Sequence, residues 1–266
     1  LHSDMSDKFP DHHGYLRLAH EMADATGEIL RQAFLKRPAI EIKEDRSFVT
    51  EFDKSVEKIL RQMIEEKYPL HGILGEEFES KNTGADLVWV LDPIDGTAQF
   101  IAGIPVFGTL IGLAWEGKPF LGVMNHPSTG DRWAGVSGKF AEHNGRPVQS
   151  RGCSGPESAF VTCSNPDFMT DTELSRFRKL RNIAPYVQYG GSCLAYGLLA
   201  SGRTNLAIDS AFAPFDYFAC AAVIHGAGGV FSRWDGEDVD LDWTGGVLAA
   251  GDRVCHGRTV EILAGA

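Results

Sequence analysis

The sequence predicts a mixed α/β protein, α+β in its first half and α/β in its second. Three observations carry this. Two amphipathic helical patterns lie near the N-terminus, separated by a short extended piece. A series of apolar strands and hairpins follows. Beyond a segment rich in Gly, Ser and Pro (Pro147 to Glu157), strands and helices alternate to the end. That segment divides the chain into an N-terminal half, 1–148, and a C-terminal half, 149–266.

Apolar residues Leu18, Met22, Ile29, Ala33 and Phe34 fall at helical spacing and predict a helix over Tyr15 to Phe34, ended by Lys36-Arg37-Pro38. Phe48 to Thr50 reads as extended. A second helix begins near Asp53, with Val56, Ile59, Leu60, Met63 and Ile64 on one face, and stops at Pro69. Gly72 to Gly75 is a short strand running into Glu76-Glu77. Leu87 to Leu91 is apolar throughout, as a strand buried on both faces should be, and delivers Asp92 at its end. Thr109–Trp115 and Phe120–Met124 form a hairpin around Glu116 to Pro119, and further strands follow at Trp133–Val136 and Lys139–Glu142. In the C-terminal half, strands are expected near Phe160, Leu206, Val230 and Val247. Helices are expected over Thr172–Leu180, Leu194–Ala200, Asp216 to Ala227 and from Val254. Gly228-Gly229 closes the third of these.

Composition narrows the function classes. A formal net charge of −11 repels nucleic acid phosphates. It would also repel a phosphorylated ligand unless bound cations invert the local field. No run of about 18 apolar residues exists, so no membrane span is expected. The opening LHSDMSDKFPDHHG lacks the order of a secretory signal. Five cysteines, with no CxxC pair, argue against a zinc site or a disulfide framework. They are expected as reduced thiols, mostly core fillers, in a cytoplasmic protein.

Chemistry concentrates in Asp92-Pro93-Ile94-Asp95-Gly96-Thr97. Two carboxylates at the end of a buried strand repel one another and lose hydration unless a cation neutralises them. Hard divalent cations prefer oxygen ligands, and Asp92, Asp95 and the Ile94 carbonyl supply them. Gly96-Thr97 would open a turn or helix whose amides suit phosphate oxygens. Taken alone, the segment also reads as a type I turn. Gly75-Glu76-Glu77 alone reads as a solvated helix start, Asp216 as a helix cap, and Asp53 in Val49-Thr50-Glu51-Phe52-Asp53 as a cap or a base orienting a hydroxyl.

Together these segments resemble the inositol monophosphatase family. The GEE segment, DPIDGT followed by Phe100, and an aromatic-Asp pair leading a helix that ends in AGG occur in the family's order over nearly the whole chain. The resemblance implies a layered α/β/α/β/α sandwich of the inositol monophosphatase and fructose-1,6-bisphosphatase type, assembled as a homodimer. It implies magnesium ligands at Glu76, Asp92, Ile94, Asp95 and Asp216, holding two or three Mg²⁺ ions. Gly96 and Thr97 would hold the phosphate, and Asp53 would pair with the Thr97 hydroxyl. Glu76, Thr97 and Asp53 would activate the attacking water in a phosphomonoester hydrolase acting on a small hydroxylated metabolite.

Within the family the chain is most similar to bacterial histidinol-phosphate phosphatases, through Phe100 to Leu113, Pro127 to Arg132 and Tyr196 to Gly202. It departs from them where Ser192 precedes Cys193 in place of Asp, where Ala98 and Gln99 follow DPIDGT, and where Phe215 precedes Asp216. Asp209 stands where the family has Glu. Ser192, Asp209 and Asp216 are the candidate substrate-binding residues beside Gly96 and Thr97, with Asp209 suited to a cationic amino alcohol. Inositol, sugar or nucleotide phosphates are the competing substrates. A phosphatase-fold binding module is the competing class. No DxDx[TV] run supports an aspartyl-phosphate enzyme.

Overall fold

The computed structural model describes residues 10–36, 38–43 and 48–264. The opening nine residues, and Arg37 of the expected helix stop, lie outside the described residues. Helix α1 (His12–Phe34) starts at Asp11, whose carboxylate accepts from the His13 amide. An antiparallel ribbon of β1 (Ile40–Ile42) and β2 (Phe48–Thr50) leads into α2 (Glu51–Lys67). Strand β1 has no sequence signal because its residues are all exposed, so no burial imposes alternation.

The first sheet runs in chain order through β3 (Gly72–Gly75), β4 (Leu87–Asp95), β5 (Gly108–Trp115), β6 (Lys118–His126), β7 (Asp131–Val136), β8 (Phe140–His143) and β9 (Arg146–Pro147). Only β3 and β4 are parallel; the other neighbours are antiparallel. The β5–β6 turn is tighter than the sequence implies. Glu116 and Gly117, at φ 49° and 75°, complete it as a two-residue turn matched to strand twist. Helix α3 (Thr97–Ala102) lies between β4 and β5.

The second sheet contains β10 (Phe160–Cys163), β11 (Tyr186–Tyr189), β12 (Leu206–Phe212), β13 (Val230–Arg233) and β14 (Gly245–Ala250), in the order β11-β10-β12-β14-β13. Its helices are α4 (Asp171–Ile183), α5 (Ser192–Ala200), α6 (Pro214–Gly226) and α7 (Arg253–Ala264).

Burial defines five layers. Trp89, Leu91, Ile111 and Val123 pack on Leu18 and Met22 of α1 and Leu60 and Ile64 of α2. The opposite face of that sheet, with Val88, Val90 and Met124, meets α5 and α6, which in turn cover Val247 and Ala249 of the second sheet. The outer face of the second sheet, with Val161, Ile208 and Leu248, is closed by Phe177 and Leu180 of α4 and Leu263 of α7. The architecture is therefore the α/β/α/β/α sandwich. Helix α6 lies between two sheets, so it is apolar nearly all round rather than amphipathic.

Helix α6 sits close to the first sheet on a track of paired glycines, Gly112, Gly122 and Gly135, in three adjacent strands. A methyl group at Gly122 would run into the Ala219 carbonyl oxygen.

One expectation is overturned. Cys153 and Cys255 form a disulfide across 102 residues of sequence; Cys163, Cys193 and Cys220 remain free and buried. Packing of α7 against the segment after β9 brings the two sulfurs together, a proximity that no local spacing encodes.

Gly122→Ala should lower unfolding stability by at least ~2 kcal/mol, because backbone lies where the new methyl would go. Urea unfolding with an unchanged m-value measures it. A cost within experimental error would show that α6 is free to move off the sheet.

Candidate active site

Strand register brings the first two acids together. Gly75 of β3 pairs in parallel with Leu91 of β4, and the Glu76 amide continues the ladder to the Leu91 carbonyl at 3.2 Å. The next residues of the two strands, Glu76 and Asp92, therefore emerge at the same sheet end.

Asp95 needs a further device. Residues three apart in a regular strand point to opposite faces. Between Asp92 and Asp95 the β4–β5 register shifts: Asp92 opposes Leu110, and Asp95 opposes Gly108. The extra residue is a β-bulge, which returns Asp95 to the side of Asp92. The Thr109 hydroxyl donates to the Pro93 carbonyl at 2.9 Å and pins the bulge.

Asp216 arrives from the other half of the chain. It occupies the first turn of α6, where its Oδ2 accepts from the Ala213 amide at 2.6 Å. Asp92, Asp95 and Asp216 each place a carboxylate oxygen within 4.8 Å of the others. Asp95 Oδ2 is held by the Cys193 amide at 2.7 Å. Asp92 is 1% exposed, and its Oδ1 has no hydrogen-bond partner among the described residues. A buried carboxylate oxygen without a donor is costly, and a cation of hard character satisfies it. The residues present therefore fit a divalent metal ion, with Asp92, Asp95 and Asp216 as its carboxylate holders.

Electrostatics agree. Burial pushes the Asp92 carboxyl well above its ordinary range, and the charges of Glu76, Asp95 and Asp216 push it further. Burial likewise raises Asp95 and, well above its usual value, Asp216. Glu76 is raised to about 7 by burial, opposed by Lys43. Lys43 Nζ lies 2.9 Å from Glu76 Oε1 and 2.7 Å from Glu77 Oε1. Burial by itself would lower the Lys43 ammonium; its bonds to Glu77 and Glu76 outweigh this and raise it.

The Thr97 hydroxyl stands 2.9 Å from the Ile94 carbonyl and 3.4 Å from Asp53 Oδ1. Asp53 also closes the capping box of α2, accepting from the Thr50 amide and hydroxyl at 2.7 Å each. Burial raises its carboxyl, and those bonds oppose the rise. Gly96 adopts φ 79° as it opens α3, and a methyl there would lie 2.9 Å from Ser192 Oγ. Ser192, at φ 43°, thus stands directly over the Gly96-Thr97 turn.

Asp209 is placed differently from the other candidates. It is 3% exposed, with Oδ1 accepting from the Ser164 amide at 2.6 Å and Oδ2 from the Tyr196 hydroxyl at 2.7 Å. Burial raises it to about 7 despite those bonds. Both of its oxygens are taken up inside the protein.

Sequence reasoning missed Lys43 and the Cys193 amide, and it set His126 aside as a loop residue, whereas His126 ends β6. His126 Nδ1 lies 3.1 Å from the Phe107 carbonyl, which can only accept; Nε2 is then free to accept from the Cys193 thiol at 3.7 Å. Burial holds the ring neutral by lowering it to about 4. A backbone amide has no sequence signature, and the isolated Lys43 follows an exposed strand with no pattern to mark it.

The layered sandwich with a carboxylate cluster where both sheets and α6 converge defines a metal-dependent phosphatase. Comparison with known proteins gives the family: a model of the inositol monophosphatase family matches residues 11–265, and the chain belongs to it. The chain is 37% identical over 270 residues to the chloroplastic bifunctional phosphatase IMPL2 of Arabidopsis thaliana, covering 98% of this chain and 78% of that protein. It is 34% identical over 236 residues to a histidinol-phosphatase of Chlorobaculum parvum, covering 88% and 91%. An inositol monophosphatase structure from Zymomonas mobilis superposes with a TM-score of 0.88 at 33% identity, covering 96% and 100%.

Two outcomes are expected. Asp95→Asn should keep the fold and lower turnover by about two to three orders of magnitude or more; near-normal phosphate release would remove Asp95 from the metal centre. The raised carboxyls also set a pH dependence. Between about pH 4, where free carboxyls titrate, and about pH 7, the value reached by Glu76 and Asp209, the folded state holds protons that the unfolded state has lost. His126, lowered to about 4 by burial, works the opposite way, but Glu76, Asp209, Asp92 and Asp216 are all raised and outweigh it, so stability of EDTA-treated protein falls as pH rises through this window, and Mg²⁺ added at pH 8 should restore it. Thermal melts at pH 5.5 and pH 8 test this; equal metal-free melting temperatures would contradict it.

Proposed function

We propose that this protein hydrolyses the phosphate monoester of a small amino alcohol, histidinol phosphate, as a step in histidine biosynthesis, with Mg²⁺ as the metal. The observation that carries the chemistry is the convergence of Asp92, Asp95 and Asp216 around an Asp92 oxygen without a donor among the described residues. The substrate rests on the subgroup resemblance and on the histidinol-phosphatase relative.

Asp92, Asp95, Asp216, Glu76 and the Ile94 carbonyl would hold two or three Mg²⁺ ions. Bound there, Mg²⁺ supplies charge neutralisation for the phosphate and lowers the cost of deprotonating water. The remaining work falls to the chain. The Gly96 and Thr97 amides open α3 and would receive phosphate oxygens. The Thr97 hydroxyl, between the Ile94 carbonyl and Asp53, would orient a water toward phosphorus. Glu76 would accept that water's proton. Water oxygen bonds to phosphorus as the phosphorus–alkoxide bond breaks, and the alkoxide takes a proton to leave as the alcohol.

Ser192, over the Gly96 turn, would face the alcohol. Asp209 would act through Tyr196 and Ser164, shaping the wall behind Ser192. The protein would act as a homodimer. Its cytoplasmic setting is supported by the buried free thiols of Cys163, Cys193 and Cys220.

The alternative substrate, an inositol monophosphate, is favoured by the fold likeness to the Zymomonas mobilis enzyme. Phosphate release from histidinol phosphate, inositol 1-phosphate, fructose 1,6-bisphosphate and adenosine 3′,5′-bisphosphate, each with Mg²⁺ and with EDTA, separates the readings. Magnesium-dependent release concentrated on histidinol phosphate is expected. Preference for another ester would keep the chemistry and overturn the substrate. No release on any of them would favour a binding role.

A further inference from the structure

We propose that His126 is a positioning residue for the alcohol side of the site, holding the Cys193 thiol and, through it, the Ser192 turn. The inference rests on the reading that Ser192 faces the alcohol.

The geometry is specific. His126 ends β6 and is fully buried. Its ring is fixed on two sides. Nδ1–H donates to the Phe107 carbonyl at 3.1 Å, and the Trp133 ring meets the imidazole edge-on at 5.5 Å between centroids. Nε2 is left as an acceptor, and the buried Cys193 thiol lies 3.7 Å from it, within the reach of a sulfur hydrogen bond. Gly108 leaves room for this meeting. A methyl there would lie 3.0 Å from Cys193 Sγ and 3.1 Å from His126 Cε1. Gly108 is also the residue that opposes Asp95 across the bulge.

Ser192 needs such a hold. It opens α5 at φ 43°, a conformation that a residue with a side chain keeps only when its surroundings impose it. Gly191 before it gives α5 no side-chain cap. The anchors next to Ser192 are those of Cys193: its amide on Asp95 Oδ2 and its thiol on His126. The first is a backbone bond open to any residue at 193. The second depends on this pair of side chains. The far end of α5 is held separately, by Trp133 Nε1 donating to Ser201 Oγ at 2.8 Å and by the Trp133 ring packed on Gly197. Loss of the His126 contact therefore loosens the start of α5 while its end stays docked. The phosphate side rests on the β4 bulge, which Thr109 pins independently. Ser192 would lose its fixed place, and the alcohol would lose a fixed neighbour.

The test uses the full chain at saturating Mg²⁺ with two esters. One is histidinol phosphate, or whichever ester the panel above prefers. The other is p-nitrophenyl phosphate, whose flat phenol brings no hydroxyl or amine to Ser192. His126→Asn keeps a donor for the Phe107 carbonyl and loses the acceptor for Cys193. Cys193→Ala removes the thiol donor and keeps the amide on Asp95, and Cys193→Ser restores a donor. The ratio of kcat/KM for the preferred ester to that for p-nitrophenyl phosphate should fall about five- to tenfold in His126→Asn, in Cys193→Ala and in their double variant alike. The fall should come mainly from a raised KM for the preferred ester, and Cys193→Ser should bring the ratio back toward wild type. Thermal melts establish which variants are folded. Cys193→Ala removes one buried atom and carries the test should His126→Asn not fold. An equal loss on both esters, an unchanged ratio in folded Cys193→Ala, or losses that add in the double variant overturns the role of His126 while leaving the phosphatase reading in place. Absence of Mg²⁺-dependent release from every ester by wild type overturns that reading and this inference with it.

Discussion

The structure depends on crowding three carboxylates into one buried place. Asp92, Asp95 and Asp216 come within 4.8 Å of one another, and burial raises all three above the ordinary carboxylate range. Such a cluster costs folding free energy whenever its members are charged and unpaired. Protonation offsets that cost in the metal-free protein, and a bound divalent cation would offset it with the carboxylates charged.

Every neighbouring element can be understood from what it does for that cluster. The parallel pairing of β3 with β4 aligns Glu76 with Asp92, and the bulge in β4 turns Asp95 back to the same side. The glycine track across β5, β6 and β7 lets α6 approach the sheet, and α6 presents Asp216 in its first turn. Backbone amides of Cys193 and Ala213 hold Asp95 and Asp216 from outside. These supports come from both halves of the chain, and the central core between the two sheets joins them.

The two substrate-facing expectations differ in their physical setting. Ser192 lies against the catalytic turn, in a left-handed conformation unusual for a residue with a side chain. Asp209 is buried and held by Ser164 and Tyr196, where its shorter side chain satisfies both oxygens within the protein. A longer acid at this position would project further past Ser164 and Tyr196.

Much of the fold was legible in the sequence wherever burial imposed a pattern. The apolar run Leu87 to Leu91, the helical spacing from Leu18 to Phe34, and the late helix closed by Gly228-Gly229 each stand as read, because one-sided or complete burial writes a period into the residues. The exposed strand β1 and the edge strand β11, with no fully buried residue, left no such period. The chemical identity of the site was legible too, since DPIDGT, GEE and the late Asp carry their own order along the chain. Only the tertiary structure decided that Lys43 stands on Glu76, that Cys153 meets Cys255, that the Cys193 amide grips Asp95, and that Asp209 is drawn inside. Those contacts join residues distant in sequence or depend on backbone groups common to every residue, so local pattern contains no trace of them.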